Sequence, residues 1–380
     1  MKKTIITISI ILIIITAGLL IYLLTGPQTT EDFELVDLTL DTTQEVNGAE
    51  IIDEKLKILS QEEVLGYSIN PVTKHVYIVN VLGEIKKING LEIEKISSQK
   101  IKDINSVKSS KDGRKILINF NYPYQSTFSV YDITDSKWTP LPKNTVAADW
   151  HPENSNEIIY LNRNSLRILD LNKDRSRSVL NIHLTSSILN WVSASEVVIV
   201  ERPSVKYISS AWLINLSTKR IKKIASEKGL MINQEGMWQL RFVYKAAGNL
   251  FNLIKVETNK VVSSFKFQTL TSKCVINQDD IYCAAPSQLP LNTLLPDDYL
   301  SKAFMSNDII YSFNINTDSQ SLELKILYNE SRVVVDAIDL KIVDDQLYFI
   351  NRHDQRLYSL KINKKVVEEK VEEVIKEASQ

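Results

Sequence analysis

The sequence predicts an all-β fold, a seven-bladed β-propeller, preceded by one N-terminal transmembrane helix. Three observations carry this. Residues Thr4 to Gly26 hold no charged side chain and directly follow Lys2 and Lys3. Behind them, short strand-like runs recur seven times at a spacing near 40 residues. Glycine is scarce, 10 in 380 residues against 15 tyrosines, and β-branched residues are frequent, a usage that suits strands.

The uncharged run of 23 residues spans roughly 34 Å at about 1.5 Å per residue, enough to cross a hydrocarbon core of about 30 Å. A cleaved signal peptide has a shorter apolar region and a small-residue cleavage site. No A-x-A pattern follows this run, and no cysteine near its end offers a lipid attachment point. Residues 1–26 therefore read as a cytoplasmic tip and an uncleaved signal-anchor. Glu31, Asp32, Glu34 and Asp37 are the first charges beyond it. The positive-inside bias then keeps the N-terminus in the cytoplasm and sends residues 27–380 outside. The expected location is the cell membrane, single-pass, with residues 4–26 in contact with lipid. Pro27 ends the helix, and residues 27–54, rich in Thr, Asp, Glu and Gln, read as an extracytoplasmic linker.

The repeat follows over residues 55–363. A first series of runs is Val76–Asn80, Ile116–Phe120, Ile158–Asn162, Val197–Glu201, Arg241–Lys245, Ile281–Ala285 and Leu347–Asn351. Each is followed by a second run ending in a polar turn, from Gly83–Asn89 to Arg356–Ile362. The first series starts at intervals of 40, 42, 39, 44, 40 and 66 residues. A period near 40 with several strands per unit signals a propeller. A lone four-stranded blade leaves both faces bare, and radial stacking covers them. The long last interval places an insertion at residues 286–309, in blade six. Lys55–Ser60 looks like the outermost strand of a unit and is expected to close the ring onto blade seven. Residues 364–380 form a charged tail with helical spacing of Val367, Val371 and Val374.

Ser109–Phe120 and Asp149–Leu161 carry a small residue, a tight turn and then an apolar strand, with Asp112-Gly113 at the first turn. In this they resemble the WD40-like, TolB-type propeller repeats. Only the second and third units match well. The third unit replaces Asp-Gly with Glu153–Glu157, and the seventh has Val343-Asp344-Asp345. The resemblance implies a scaffold that binds proteins or ligands, and it implies no particular activity.

Cys274 and Cys283 are the only cysteines. A hairpin turning at Gln278-Asp279 pairs them directly, at a non-hydrogen-bonded position where side chains lie closest. An oxidising compartment would keep them as a disulfide. The closed loop is short, so its entropic stabilisation is on the order of 2–3 kcal/mol at most.

Motifs for chemistry are missing. The chain has no G-x-S-x-G, H-E-x-x-H, P-loop or G-x-G-x-x-G pattern. His75, His151, His183 and His353 fall in four different units and read as structural or solvent-facing. Asp170-x-Asn172-x-Asp174 resembles the start of a calcium loop, but Arg175 replaces the required glycine. No metal, cofactor or catalytic residue is assigned. The net charge of −1 gives no footprint for nucleic acid. The insertion is the candidate for specificity, with Leu294, Leu295, Asp297, Asp298, Tyr299 and Phe304 as candidate partner-binding residues. A long apolar loop in a compact repeat is often functional. Its alternative role is a structural cap over the central channel. The expected function is a binding or assembly module for an envelope protein, peptide or glycan. The rival expectation is a hydrolase or lyase with its site in the channel, which would need carboxylates or histidines converging there.

Overall fold

The computed structural model describes residues 50, 51 and 55–362, except 91, 98, 123–125, 185–186, 317–320 and 330–331. The expected membrane helix over 4–26, nearly all of the linker and the tail 364–380 lie outside the described residues. Among the described residues, no helix is long and apolar enough to cross a membrane.

Seven antiparallel sheets follow one another along the chain. Blade one is Val64–Ile69, Val76–Asn80, Ile85–Asn89 and Glu92–Lys95. Blade two is Ser106–Ser109, Lys115–Phe120, Thr127–Asp132 and Lys137–Pro140. Blades three, four and five begin at Thr145, Ser187 and Met231 and repeat the same four-strand meander. Blade six is Cys274–Asn277, Asp280–Pro286, Asp308–Asn316 and Ser321–Tyr328. The first strands of successive blades lie against one another and form the inner ring. Both series of runs read from the sequence fall on strands, the first on the second strand of each blade and the second on the third.

These middle strands read clearly because neighbouring blades cover both of their faces. Lys115–Phe120, Glu157–Asn162 and Glu196–Glu201 each bury four consecutive residues. The outer strands are charged, as in Ile221–Lys228, because only one face meets protein. Bonds from side chains to neighbouring backbone then link blade to blade. Trp150 Nε1 donates to the Lys108 carbonyl at 3.0 Å, and Ser68 Oγ donates to the Gly113 carbonyl at 2.9 Å.

The ring closes as the sequence suggests. Blade seven takes Ala337–Val343, Gln346–Asn351 and Arg356–Lys361 from the end of the chain, and Leu56–Ile58 pairs onto it from the beginning. The register is Leu56 opposite Leu360 and Ile58 opposite Tyr358. Glu50–Ile51 adds a short fifth strand. The alternative closing segment, Lys365–Glu369, lies outside the described residues.

Gly113 shows how tightly blades meet. It sits at φ +68°, and a Cβ there would stand 2.1 Å from the Ile69 carbonyl oxygen of blade one. Gly113→Ala is expected to lower stability by more than the roughly 1 kcal/mol that a left-handed backbone alone costs. Gly236 is the control, since it has φ +56° and no neighbour within 4 Å of the added carbon. Equal losses in thermal melts of the two variants would show that the blade contact imposes nothing.

Candidate functional site

An antiparallel meander sends its second-to-third connections, and the links from one blade to the next, to one edge of every sheet. The insertion is the second-to-third connection of blade six, so it emerges on that face. Several of its apolar residues turn inward. Leu295 and Tyr299 are buried in the core shared by blades five and six, with Leu289 and Phe304 packed against it. Phe304 meets Tyr299 edge to face at 5.8 Å. Asp297 and Asp298 open a short helix, Asp297–Leu300. Asp298 accepts from the Leu294 N–H at 2.7 Å within the insertion. Asp297 reaches across to blade four, where it accepts from Ser204 Oγ at 2.9 Å and the Val205 N–H at 3.0 Å. Leu295, Asp297, Tyr299 and Phe304 thus fasten the insertion down, while Asp298 braces the start of its own short helix. Leu294 is exposed, as are Leu291, Leu300 and Met305, which the sequence does not single out as a site.

Beneath the insertion is a buried ionic cluster. The Lys273 ammonium lies 2.7 Å from Asp308 and 2.6 Å from Asp336. It also donates to the Tyr299 and Ser306 hydroxyls, each at 3.0 Å. Tyr299 donates to Asp336 at 2.6 Å, and Arg352 pairs with the same carboxylate at 3.1 Å. The Arg352 guanidinium stands 4.2 Å over the Tyr299 ring. His353 Nε2 bonds the Ser306 carbonyl at 2.8 Å, fixing that nitrogen as the donor. Two cations and two carboxylates balance, which is the condition for burying them. Burial pulls the Lys273 pKa down, but Asp308, Tyr299 and Asp336 together outweigh it, so the ammonium is held charged. Burial pushes the Tyr299 hydroxyl up to about 12. Every group in the cluster is already engaged, which makes it a bolt rather than a reactive centre. Lys273 and Asp336 escape sequence reading because they lie 63 residues apart. The one available signal is Asp336 standing directly after three valines.

On the same face, a cavity of about 880 Å³ is walled by connections of blades two, three and four, by Met231 of blade five and by Leu300 of the insertion. Tyr122 and Leu300 contribute to its wall while remaining 45% and 44% exposed. None of its wall residues is among the candidates read from the sequence. They come from connections scattered over some 200 residues, and no local pattern marks them.

The inner ring holds its charges in pairs. Lys108 bonds Asp149 at 2.8 Å, and the other oxygen of Asp149 accepts from the Trp191 N–H at 2.8 Å. Lys341 lies 3.4 Å from Asp339. His151 accepts two backbone N–H bonds, from Glu153 and Asn154, and burial lowers its pKa. Among the described residues, no three His, Cys, Asp or Glu side chains are arranged to hold a metal ion. Asp170 instead accepts the N–H groups of Asn172 and Lys173, an ordinary polar turn. Cys274 and Cys283 form a disulfide between directly opposed residues, with Cα atoms 4.1 Å apart.

No family model matches this sequence, and no curated protein matches it. Solved structures share its fold. An oligogalacturonate lyase from Vibrio parahaemolyticus is 11% identical, with a TM-score of 0.55 over 84% of this chain and 97% of that one. The WD40 repeats of RRP9 are 8% identical, with a TM-score of 0.54 over 81% and 98%. A chain of the mitotic checkpoint complex is 9% identical, with a TM-score of 0.53 over 85% and 97%. At such identities the likeness establishes the fold alone, that of a WD40-like, seven-bladed β-propeller.

Proposed function

We propose that the chain is a propeller anchored in the cell membrane through residues 4–26, with its N-terminus cytoplasmic. It serves outside the membrane as a binding or assembly module of the cell envelope, for a protein, peptide or glycan. The binding face is the one that carries the insertion. The observation that supports this choice is the cavity of about 880 Å³ on that face, with Tyr122 and Leu300 still exposed in its wall. The size falls within the range of ligand-binding clefts. The insertion completes this wall through Leu300 and is held in place by Asp297 and the Lys273 cluster. The disulfide fits an oxidising compartment. A hydrolase or lyase centred on the channel would need carboxylates or histidines converging there; Asp149 and Asp339 each have a lysine beside them.

The test is site-specific crosslinking in membranes, with a photoreactive residue at position 122, 300 or 261. Val261 is an exposed outer-strand control. Adducts are expected at 122 and 300 and not at 261. The double variant Tyr122→Asp, Leu300→Asp is expected to lose partner capture with an unchanged melting curve. Equal adducts at all three positions would refute the assignment of the face.

A further inference from the structure

The wall of this cavity has a one-sided charge. Lys143, Arg163 and Arg202 line it, and neither an aspartate nor a glutamate does. This departs from the chain as a whole, where 46 acidic residues face 45 basic ones. All three cationic residues are exposed. Every salt bridge among the described residues lies elsewhere. They also sit on three separate connections: Lys143 between blades two and three, Arg163 within blade three, and Arg202 within blade four. Three uncompensated cations around a concave wall concentrate positive potential inside it. Guanidinium groups in particular match the two oxygens of a carboxylate.

The remainder of the wall mixes apolar side chains with amides and hydroxyls. Asn105, Asn144 and Ser187 contribute to it. Tyr122 presents an exposed aromatic face. We infer that the cavity binds an acidic oligosaccharide, its carboxylates meeting Arg163 and Arg202 and its hydroxyls meeting the exposed amides of Asn105 and Asn144. An acidic peptide is disfavoured by the architecture. One common mode of peptide binding adds the peptide to a free strand edge, and this wall, built mainly from connections and the ends of strands that are already paired, does not present one. The inference rests on the proposed binding face and adds the class of ligand.

The test is calorimetry on the full chain in nanodiscs. The probes are a hexasaccharide of alternating glucuronate and N-acetylglucosamine, neutral chitohexaose, hexaglutamate and inorganic phosphate. The glucuronate hexasaccharide is expected to bind at least tenfold tighter than the other three, and more weakly as salt rises. The double variant Arg163→Ala, Arg202→Ala is expected to bind it at least tenfold more weakly with an unchanged melting curve. Failure of the uronate probe to bind, equal binding of chitohexaose, tighter binding of hexaglutamate, phosphate binding as tightly, or an arginine variant that binds like the parent would each overturn the inference. If crosslinking at 122 and 300 persists while the hexasaccharide fails, the ligand class falls and the binding face stands.

Discussion

Replacing Lys273 with methionine is expected to lower unfolding free energy by about 3–5 kcal/mol, the cost of leaving a buried ionic partner uncompensated. The side chain is only 1% exposed, and both of its carboxylate partners are buried as well. Methionine fills much of the same space, so the loss reports charge rather than volume. The double variant Lys273→Met, Asp308→Asn should recover part of the deficit. Urea titration of the single and double variants measures both. A single variant as stable as the parent would mean that the cluster does not hold the insertion.

The pH dependence of that deficit follows from its members. Lys273 is raised above its ordinary 10.5, so its contribution is full below that value and is lost only as pH climbs through the higher folded one. Burial pushes Asp336 up, but Lys273 and the bonds from Tyr299 and Ser306 outweigh it, leaving the carboxyl lowered from 3.8. Its contribution is present above 3.8 and is lost as pH falls through the lower folded value. Asp308 runs the other way. Burial and the Asp336 charge raise it despite Lys273, so its ionisation costs stability as pH rises past 3.8. Lys273 and Asp336 keep their charge between pH 6 and 9, one being raised above 10.5 and the other lowered below 3.8. Removing Lys273 takes away what holds Asp308 down, so the deficit of Lys273→Met is expected to shrink as pH falls and Asp308 takes up a proton.

The second large effect concerns ring closure. Leu56→Ala is expected to cost about 2–5 kcal/mol, as for other fully buried leucines. Leu56 is 0% exposed and packs with Leu347, Phe349 and Leu360 of blade seven. Leu65→Ala is the comparison, because Leu65 is 36% exposed and should change stability by less than about 1 kcal/mol. Matching losses in denaturant melts would mean that the N-terminal strand is not what seals the ring.

Much of this architecture is legible in the sequence because of where each strand sits. Second and third strands such as Glu196–Glu201 are apolar for most of their length, since blades cover both faces. The hairpin at Gln278-Asp279 is legible to the residue, and its register of Cys274 with Cys283 and Ile276 with Ile281 is the one found. First strands such as Ser106–Ser109 are hard to read. They are short, and their half-buried residues alternate between blade and channel without a clear pattern. The site is least legible. Lys273 looks like any surface lysine until Asp308 and Asp336 arrive from later in the chain. Arg163 and Arg202 become neighbours of one cavity only once the blades are stacked. The insertion could be found by its length, yet its apolar residues divide between core and surface in a way that hydrophobicity alone does not foretell.

The closing strand also sets a timetable. Leu56–Ile58 leaves the ribosome long before its partner Arg356–Lys361 exists. At about 5–20 residues per second, the wait is roughly 15–60 s. Throughout it, a strand meant for pairing stands alone, and lone edges recruit other chains. Its sequence contains the safeguard. The alternation that turns Leu56 and Ile58 inward sets Lys55 and Lys57 on the opposite side, so the waiting segment carries two like charges that repel a second copy of itself.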